Sequence, residues 1–357
     1  MKRPVSLALA LVLGVGLFGC SGGQQASAPP AESTAPSSAP SAAPSSAPES
    51  APPAQTGSLS DWKVATLVPG SPTDGGFCQL GAEATQAVAN QLGCEITIIE
   101  AATADKMKSE AETLAEEGYN IIFGHGGQYA SPFAEISGEY PDTWFITLGG
   151  TDVTDNQFPV NITFEESTYV AGVVAGKMSQ SGKLGLMVGG DFPSYTKTTR
   201  AMELGAKSVN PDIETMFAVL TNIDMNEAYE TTMNQINSGA DIIFSNSNEG
   251  SLGSIKAAVD KNIYCIGALA DYSGEAPDNC MISCICDYNM AYVSAVKAVA
   301  EGTYEGGIMF TGMADGAVRF VWNENLKSQI PQEVIDLADE TAQKIASGEI
   351  DVPNEYE

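Results

Sequence analysis

The sequence predicts an α/β protein built as two doubly wound lobes. From Trp62 onward, strand-like and helix-like patterns alternate with little between them, and the series runs twice. Several of the apolar runs end in loops rich in Gly, Asp or Asn. Alternation of this kind gives a parallel sheet covered by helices on both faces. In such open sheets, ligands sit outside the carboxyl ends of the strands. The organising stretch is 67–78, where a loop of Pro and Gly carries Asp74 and Phe77. It joins an apolar run to a helical pattern through Leu80, Ala84, Val88 and Leu92. A ring face and a carboxylate stand there, without a phosphate-cradling pattern.

The residues before the fold read differently. Lys2 and Arg3 precede an apolar run, 5–18, that ends at Gly19-Cys20. A basic start, a short apolar core and a small residue before the break describe an export signal, not a spanning helix. The stretch 21–57 is almost wholly Ser, Ala, Pro, Gly and Gln. It lacks the apolar surface needed to offset the entropy of ordering, and so predicts a tether stiffened by prolines.

In the first series, strands are expected at 62–68, 95–99, 120–123 and 144–148, with a short extended piece at 160–164. Helices are expected at 79–91, 103–117 and from 131 towards 140, with Gly93 and Gly118 as stops. The second series predicts helices at 167–178, 197–209, 226–238, 251–261 and 289–301. Its strands fall at 184–188, 213–219, 242–244, 264–266 and 281–286. Polar loops follow several of these strands, carrying Phe192, Asn246 with Asn248, Asp271, and Asp287.

Lys and Arg total 16 against 45 Asp and Glu, a formal net charge of -29. That excludes nucleic acid and an anionic lipid surface as partners. Besides Cys20 the cysteines are Cys78, Cys94, Cys265, Cys280, Cys284 and Cys286. There is no CxxC pair and the single histidine, His125, is distant in sequence, so no metal ligand set is expected. The thiols read as small buried hydrophobes. No cofactor motif is present. An exported hydrolase would need two acids, such as Asp74 and Asp287, to share acid–base work. The chain lacks a nucleophile elbow for the serine alternative.

Several strings carry a resemblance. They include Gly70-Ser71-Pro72-Thr73-Asp74-Gly75-Gly76-Phe77, Glu117-Gly118-Tyr119-Asn120-Ile121-Ile122-Phe123-Gly124 and Ser208-Val209-Asn210-Pro211-Asp212. Gly239-Ala240-Asp241-Ile242-Ile243-Phe244 and Glu301-Gly302-Thr303-Tyr304-Glu305-Gly306-Gly307 continue the series. In this order, and beside a lipobox-like Gly19-Cys20, they resemble the basic membrane protein family of lipid-anchored solute-binding proteins that serve ABC importers. The resemblance implies a type I periplasmic-binding-protein fold with three crossovers, near Phe164, Asp287 and 312–317. The first lobe would be 59–164 plus 288–313, and the second 165–287 plus 314–357. It also implies Cys20 as the lipidated residue, a permease and an ATPase as partners, and a monomer.

Members of that family bind purine nucleosides, nucleobases or other flat heterocycles. Phe77 matches the ring that stacks on the base, and Phe192 is the candidate for the opposing ring. Asp74, Asp271 and Asp287 would accept in-plane N–H groups, helped by Asn246, Asn248 and Tyr129. Leu269 stands where nucleoside binders supply an acid to the ribose, and Asp287 stands where they place a lysine. Both departures argue against ribose recognition, and the strings Ala270-Asp271-Tyr272-Ser273 and Cys286-Asp287-Tyr288 resemble the nucleobase-binding branch. The same residues have structural readings: core aromatics for Phe77 and Phe192, a helix cap for Asp74, solvated loop acids for Asp271 and Asp287. A ligand-sensing receptor of the same fold is the other functional reading the sequence leaves open.

Overall fold

The computed structural model describes residues 59–73 and 77–354. Cys20, the tether and Asp74 lie outside the described residues. In chain order the elements are β1 (Lys63–Val68), α1 (Phe77–Leu92), β2 (Glu95–Glu100), α2 (Ala104–Glu116), β3 (Ile121–Gly124), α3 (Ala130–Ile136), β4 (Trp144–Leu148) and β5 (Gln157–Ile162). There follow α4 (Glu165–Met178), β6 (Lys183–Val188), α5 (Pro193–Val209), β7 (Glu214–Val219), α6 (Met225–Asn237), β8 (Ile242–Asn246), α7 (Gly250–Lys261) and β9 (Tyr264–Leu269). The chain ends with β10 (Cys280–Cys286), α8 (Tyr288–Ala300), β11 (Met309–Thr311), β12 (Val318–Trp322), α9 (Glu324–Lys327) and α10 (Gln332–Ala346).

The strands form two six-stranded sheets, ordered β11-β5-β4-β3-β1-β2 and β12-β10-β9-β8-β6-β7. Every pairing in the first is parallel. In the second only β12 runs antiparallel to its neighbour, β10. Strand order therefore reverses between β1 and β3, and again between β6 and β8. Those are the topological switch points at which an open α/β sheet leaves a crevice.

Side chains alternate across each sheet with the strand period of two. In β3, Ile121 and Phe123 join Val64, Ile146, and Val293 of α8 on one face. Ile122 between them joins Leu67, Phe145, and Leu114 of α2 on the other. In the second sheet Leu184, Leu186, Ile242 and Phe244 pack on α4, α5 and α10, while Ile243 packs on α7. A strand buried on both sides must be apolar throughout, which is why the alternation so visible in half-exposed sheets is missing here.

Helix ends are fixed locally. The Thr103 hydroxyl accepts from Lys106 N at 3.3 Å to open α2. Asp224 caps α6 through Asn226 N and Glu227 N, at 2.9 and 3.0 Å. Each such cap contributes about 0.5–2 kcal/mol. Helix α5 opens at Pro193, earlier than the expected start at 197, because proline in the first turn needs no N–H partner there. This earlier start puts Phe192 at the helix entrance, in extended backbone.

The chain passes between the sheets after β5, after β10 and after β11. The passages lie side by side: Thr163 N donates to Thr311 O at 2.9 Å and Asp287 N to Ala317 O at 2.7 Å. Glu166, in the first turn of α4, accepts from Met313 N at 2.6 Å. Helices α4 and α5 meet backbone to backbone. A Cβ on Gly205 would lie 2.0 Å from Tyr169 O, and one on Gly172 2.1 Å from Met202 O. That approach brings the first turn of α4 beside α5, where Thr168 Oγ1 donates to Thr198 O at 2.8 Å.

Candidate ligand site

Phe77 is the first residue of α1, the element that follows β1 in the chain, and is 42% exposed. Across the first switch point, His125 follows β3 and is fully buried. Its Nε2 lies 2.7 Å from Phe77 O, which can only accept. The proton is therefore on Nε2, and in the neutral ring Nδ1 accepts from the Tyr292 hydroxyl at 2.8 Å. The imidazole is thus a strut that fixes where α1 begins. The Phe77 ring lies over it, centroids 4.0 Å apart.

At the second switch point Phe192 is 62% exposed, just beyond β6. Its ring centroid is 6.5 Å from that of Tyr195, in the first turn of α5. Tyr195 accepts from Asn248 Nδ2 at 3.1 Å, beyond β8, where Asn248 takes the left-handed backbone conformation at φ 48°. Asn246, at the end of β8, is buried. Its Nδ2 donates to Thr198 Oγ1 at 3.3 Å, while its Oδ1 has no partner.

Tyr288 is the first residue of α8, directly after β10. Its ring meets Phe77 edge-on at 6.5 Å, and its hydroxyl is within electrostatic reach of Tyr195. Two ring pairs therefore stand at the strand ends, Phe77 with Tyr288 and Phe192 with Tyr195. Burial pushes the Cys286 thiol beside Tyr288 up to about 12, so it stays protonated and is no nucleophile at neutral pH. Below, Lys197 Nζ lies 3.0 Å from Glu165 Oε1, a hydrogen bond, and 2.9 Å from Oε2, an ionic contact only. The Glu165 side chain is fully buried, and burial raises its pKa although Lys197 pulls the other way.

The expected site residues are therefore only partly brought together. Phe77, Phe192, Asn246 and Asn248 all stand at strand ends beside the switch points. Asp287 follows β10 and spends Oδ1 on capping α8, accepting from Asn289 N and Met290 N at 3.1 and 3.3 Å. Asp271, exposed beyond β9, accepts from Ser273 N at 2.9 Å in a local turn. Tyr129 differs from expectation: it is fully buried among Leu67, Phe133 and Phe145, with its hydroxyl donated to Ala101 O at 2.9 Å. Immediately after Gly124, the chain turns Tyr129 under the sheet and not into the crevice. Tyr195, Lys197 and Glu165 were not anticipated, and Tyr288 was noted only beside Asp287. Their signal was position: Tyr195 and Lys197 follow Phe192 within the opening turns of α5, and Tyr288 follows Asp287.

The family described as ABC transporter substrate-binding protein PnrA-like matches residues 62–356. The chain is 30% identical over 293 residues to a purine-binding protein of Brucella abortus (strain 2308), covering 81% of this chain and 82% of the relative. It is 27% identical over 299 residues to basic membrane protein D of Borreliella burgdorferi (strain JD1), covering 81% and 87%. A solved ABC transporter solute-binding protein from Conexibacter woesei DSM 14684 superposes with a TM-score of 0.67 at 22% identity. That superposition covers 83% of this chain and all of the other, and it establishes the type I periplasmic-binding-protein architecture. The chain therefore belongs to the PnrA-like family of ABC transporter substrate-binding proteins: an extracytoplasmic solute-binding component working with a permease and an ATPase, and not an enzyme.

Proposed function

We propose that this protein is lipid-anchored through Cys20 and closes its two lobes on a planar, purine-like heterocycle, which it delivers unchanged to the permease. The observation that carries the reading is the pair of exposed rings. Phe77 and Phe192 are large aromatics left open to solvent at the two places where the topology leaves a crevice. A folded chain normally buries such rings, and one beside each switch point would suit a flat solute held by both faces. Stacking of this kind contributes about 0.5–1.5 kcal/mol per ring beyond area burial.

The polar groups fit a solute bearing N–H donors. Asn246 Oδ1 is a buried acceptor without a donor, and each of Asp271 and Asp287 spends one oxygen on a local turn and keeps the other. Leu269 and Asp287, in place of the ribose acid and lysine, favour a nucleobase over a nucleoside. The purine-binding name of the Brucella relative supports the same ligand class.

In a thermal-shift screen of nucleobases, nucleosides, flavins and small amines, purine bases should raise the melting temperature most. A response to acyclic amines alone would discard the stacked-ring reading. The anchor has its own test. Cys20→Ser should move the exported protein from the membrane fraction to the soluble one, and continued membrane retention would remove Cys20 as the attachment point.

A further inference from the structure

Two cysteines away from the crevice are placed as a pair. Strands β9 and β10 are parallel neighbours, and Cys265 and Cys280 are direct partners in their register. Cys265 N donates to Asn279 O at 2.9 Å, which fixes that register at the start of β10. Neighbouring strands run about 4.8 Å apart. A disulfide spans Cα atoms about 4.4–6.8 Å apart, so the backbones need not move.

Register alone is insufficient, because the two side chains must also share a face. In a regular strand Cys280 would point the same way as Ile282 and Cys284, into the cluster packed on α4. Cys265 points to the opposite face, with Ile243, Ile255 and Ala258. An irregularity between Cys280 and Ile282 resolves the conflict: Ile282 pairs with Ile266 while Cys280 pairs with Cys265, two steps on one strand against one on the other. Met281, Ile282 and Cys284 therefore keep one face, and Cys280 turns to the other beside Cys265. Re-aiming a side chain is a recurring use of such bulges. Both residues are buried and stand as free thiols in the structure, in one apolar cluster, with Cys280 Sγ 3.4 Å from Ser283 Oγ and 3.6 Å from Ile282 O. No cluster of three or more metal-ligating side chains occurs among the described residues. The protein works outside the cytoplasm, where thiol pairs are not held reduced.

We propose that Cys265 and Cys280 are joined by a disulfide in the exported protein. One cysteine thiolate attacks the disulfide of an oxidant, either a thiol–disulfide oxidoreductase or a small-molecule disulfide. A mixed disulfide forms and the first oxidant thiol leaves. The second cysteine, deprotonated, attacks the protein sulfur of that mixed disulfide and releases the second oxidant thiol. Two electrons and two protons leave the pair, and the oxidant becomes two thiols. The exchange takes place before β9 and β10 pack, since both sulfurs are enclosed afterwards. The bond closes the segment 266–279 at its base. That segment carries Asp271, and Tyr272, whose N–H donates to Ser283 Oγ at 3.2 Å. The crosslink therefore holds one wall of the crevice to β10.

The test uses the full chain exported by cells and purified without reductant. It is unfolded in denaturant with iodoacetamide, digested and mapped by mass spectrometry. A peptide containing Cys265 should be found linked to one containing Cys280, with neither sulfur alkylated. Protein reduced while unfolded and refolded with reductant should melt about 5–10 °C lower than the oxidised form. The Cys265→Ser/Cys280→Ser variant should gain nothing from oxidation. Alkylation of both cysteines in the exported protein, or a bond from either to a third cysteine, overturns the proposal without recourse to any variant.

Discussion

Replacing Phe77 with alanine should weaken binding of a purine-like ligand by about 5- to 150-fold, the equivalent of the roughly 1–3 kcal/mol that a stacked base contributes. The fold should hardly notice. The ring is 42% exposed and packs mainly on His125, so its removal opens no enclosed cavity. The tie that fixes the start of α1 runs from His125 Nε2 to the Phe77 carbonyl, and a main-chain acceptor survives the substitution. The melting temperature should therefore shift by less than about 3 °C, in line with surface changes of under about 0.5 kcal/mol. Phe77→Leu should fall between, keeping apolar area while losing the ring face. Calorimetric titration of the purified variants separates the two effects, and unaltered affinity in Phe77→Ala would remove that ring from the site.

The second large effect concerns stability. Lys197→Met should cost about 3–5 kcal/mol at neutral pH, because it leaves Glu165 fully buried without its counter-charge. The pH dependence follows from the direction of the Glu165 shift. Burial already raises its folded pKa above the ordinary 4.5, and losing Lys197 raises it further. A group whose folded pKa is raised contributes stability that is present below the unfolded value and is lost as pH climbs through the folded one. The gap between Lys197→Met and the parent should therefore be narrow near pH 4 and widest at neutral pH. Glu165→Gln combined with Lys197→Met should recover much of the loss, since it removes the orphaned charge. Urea midpoints across pH would measure this. A constant gap would mean that Glu165 does not carry the cost.

Much of this architecture was legible because its signals are local. Thr103 opening α2, Gly118 closing it at φ 77°, and apolar strands separated by periodic helices each leave a mark in adjacent residues. Strand β5 was displaced to Gln157–Ile162 from the expected 160–164, since Phe158 and Val160 belong to the core while Phe164 already leads into α4. Strands β11 and β12 are short edge additions, and their pairing with β5 and β10 depends on distant residues. Helix α10 is amphipathic, with Val334, Ile335, Ala338, Thr341 and Ile345 buried, and lay beyond the second alternating series.

The placement of several expected residues at element boundaries was legible: Phe77 opens α1, Asn246 ends β8 and Asp287 caps α8. Tyr129 misled because its loop looks the same from sequence whichever side of the sheet the ring turns to. Only the Ala101 carbonyl, brought near by the fold, decides it. The Glu165–Lys197 pair was invisible for the same reason, as it depends on α4 and α5 meeting at Gly172 and Gly205.

The most direct measurement is a calorimetric titration of the folded protein with purine bases, followed by mass spectrometry of the ligand released on unfolding. The prediction is one molecule bound per chain and recovered intact. No binding by any flat heterocycle, or recovery of a cleaved product, would contradict it.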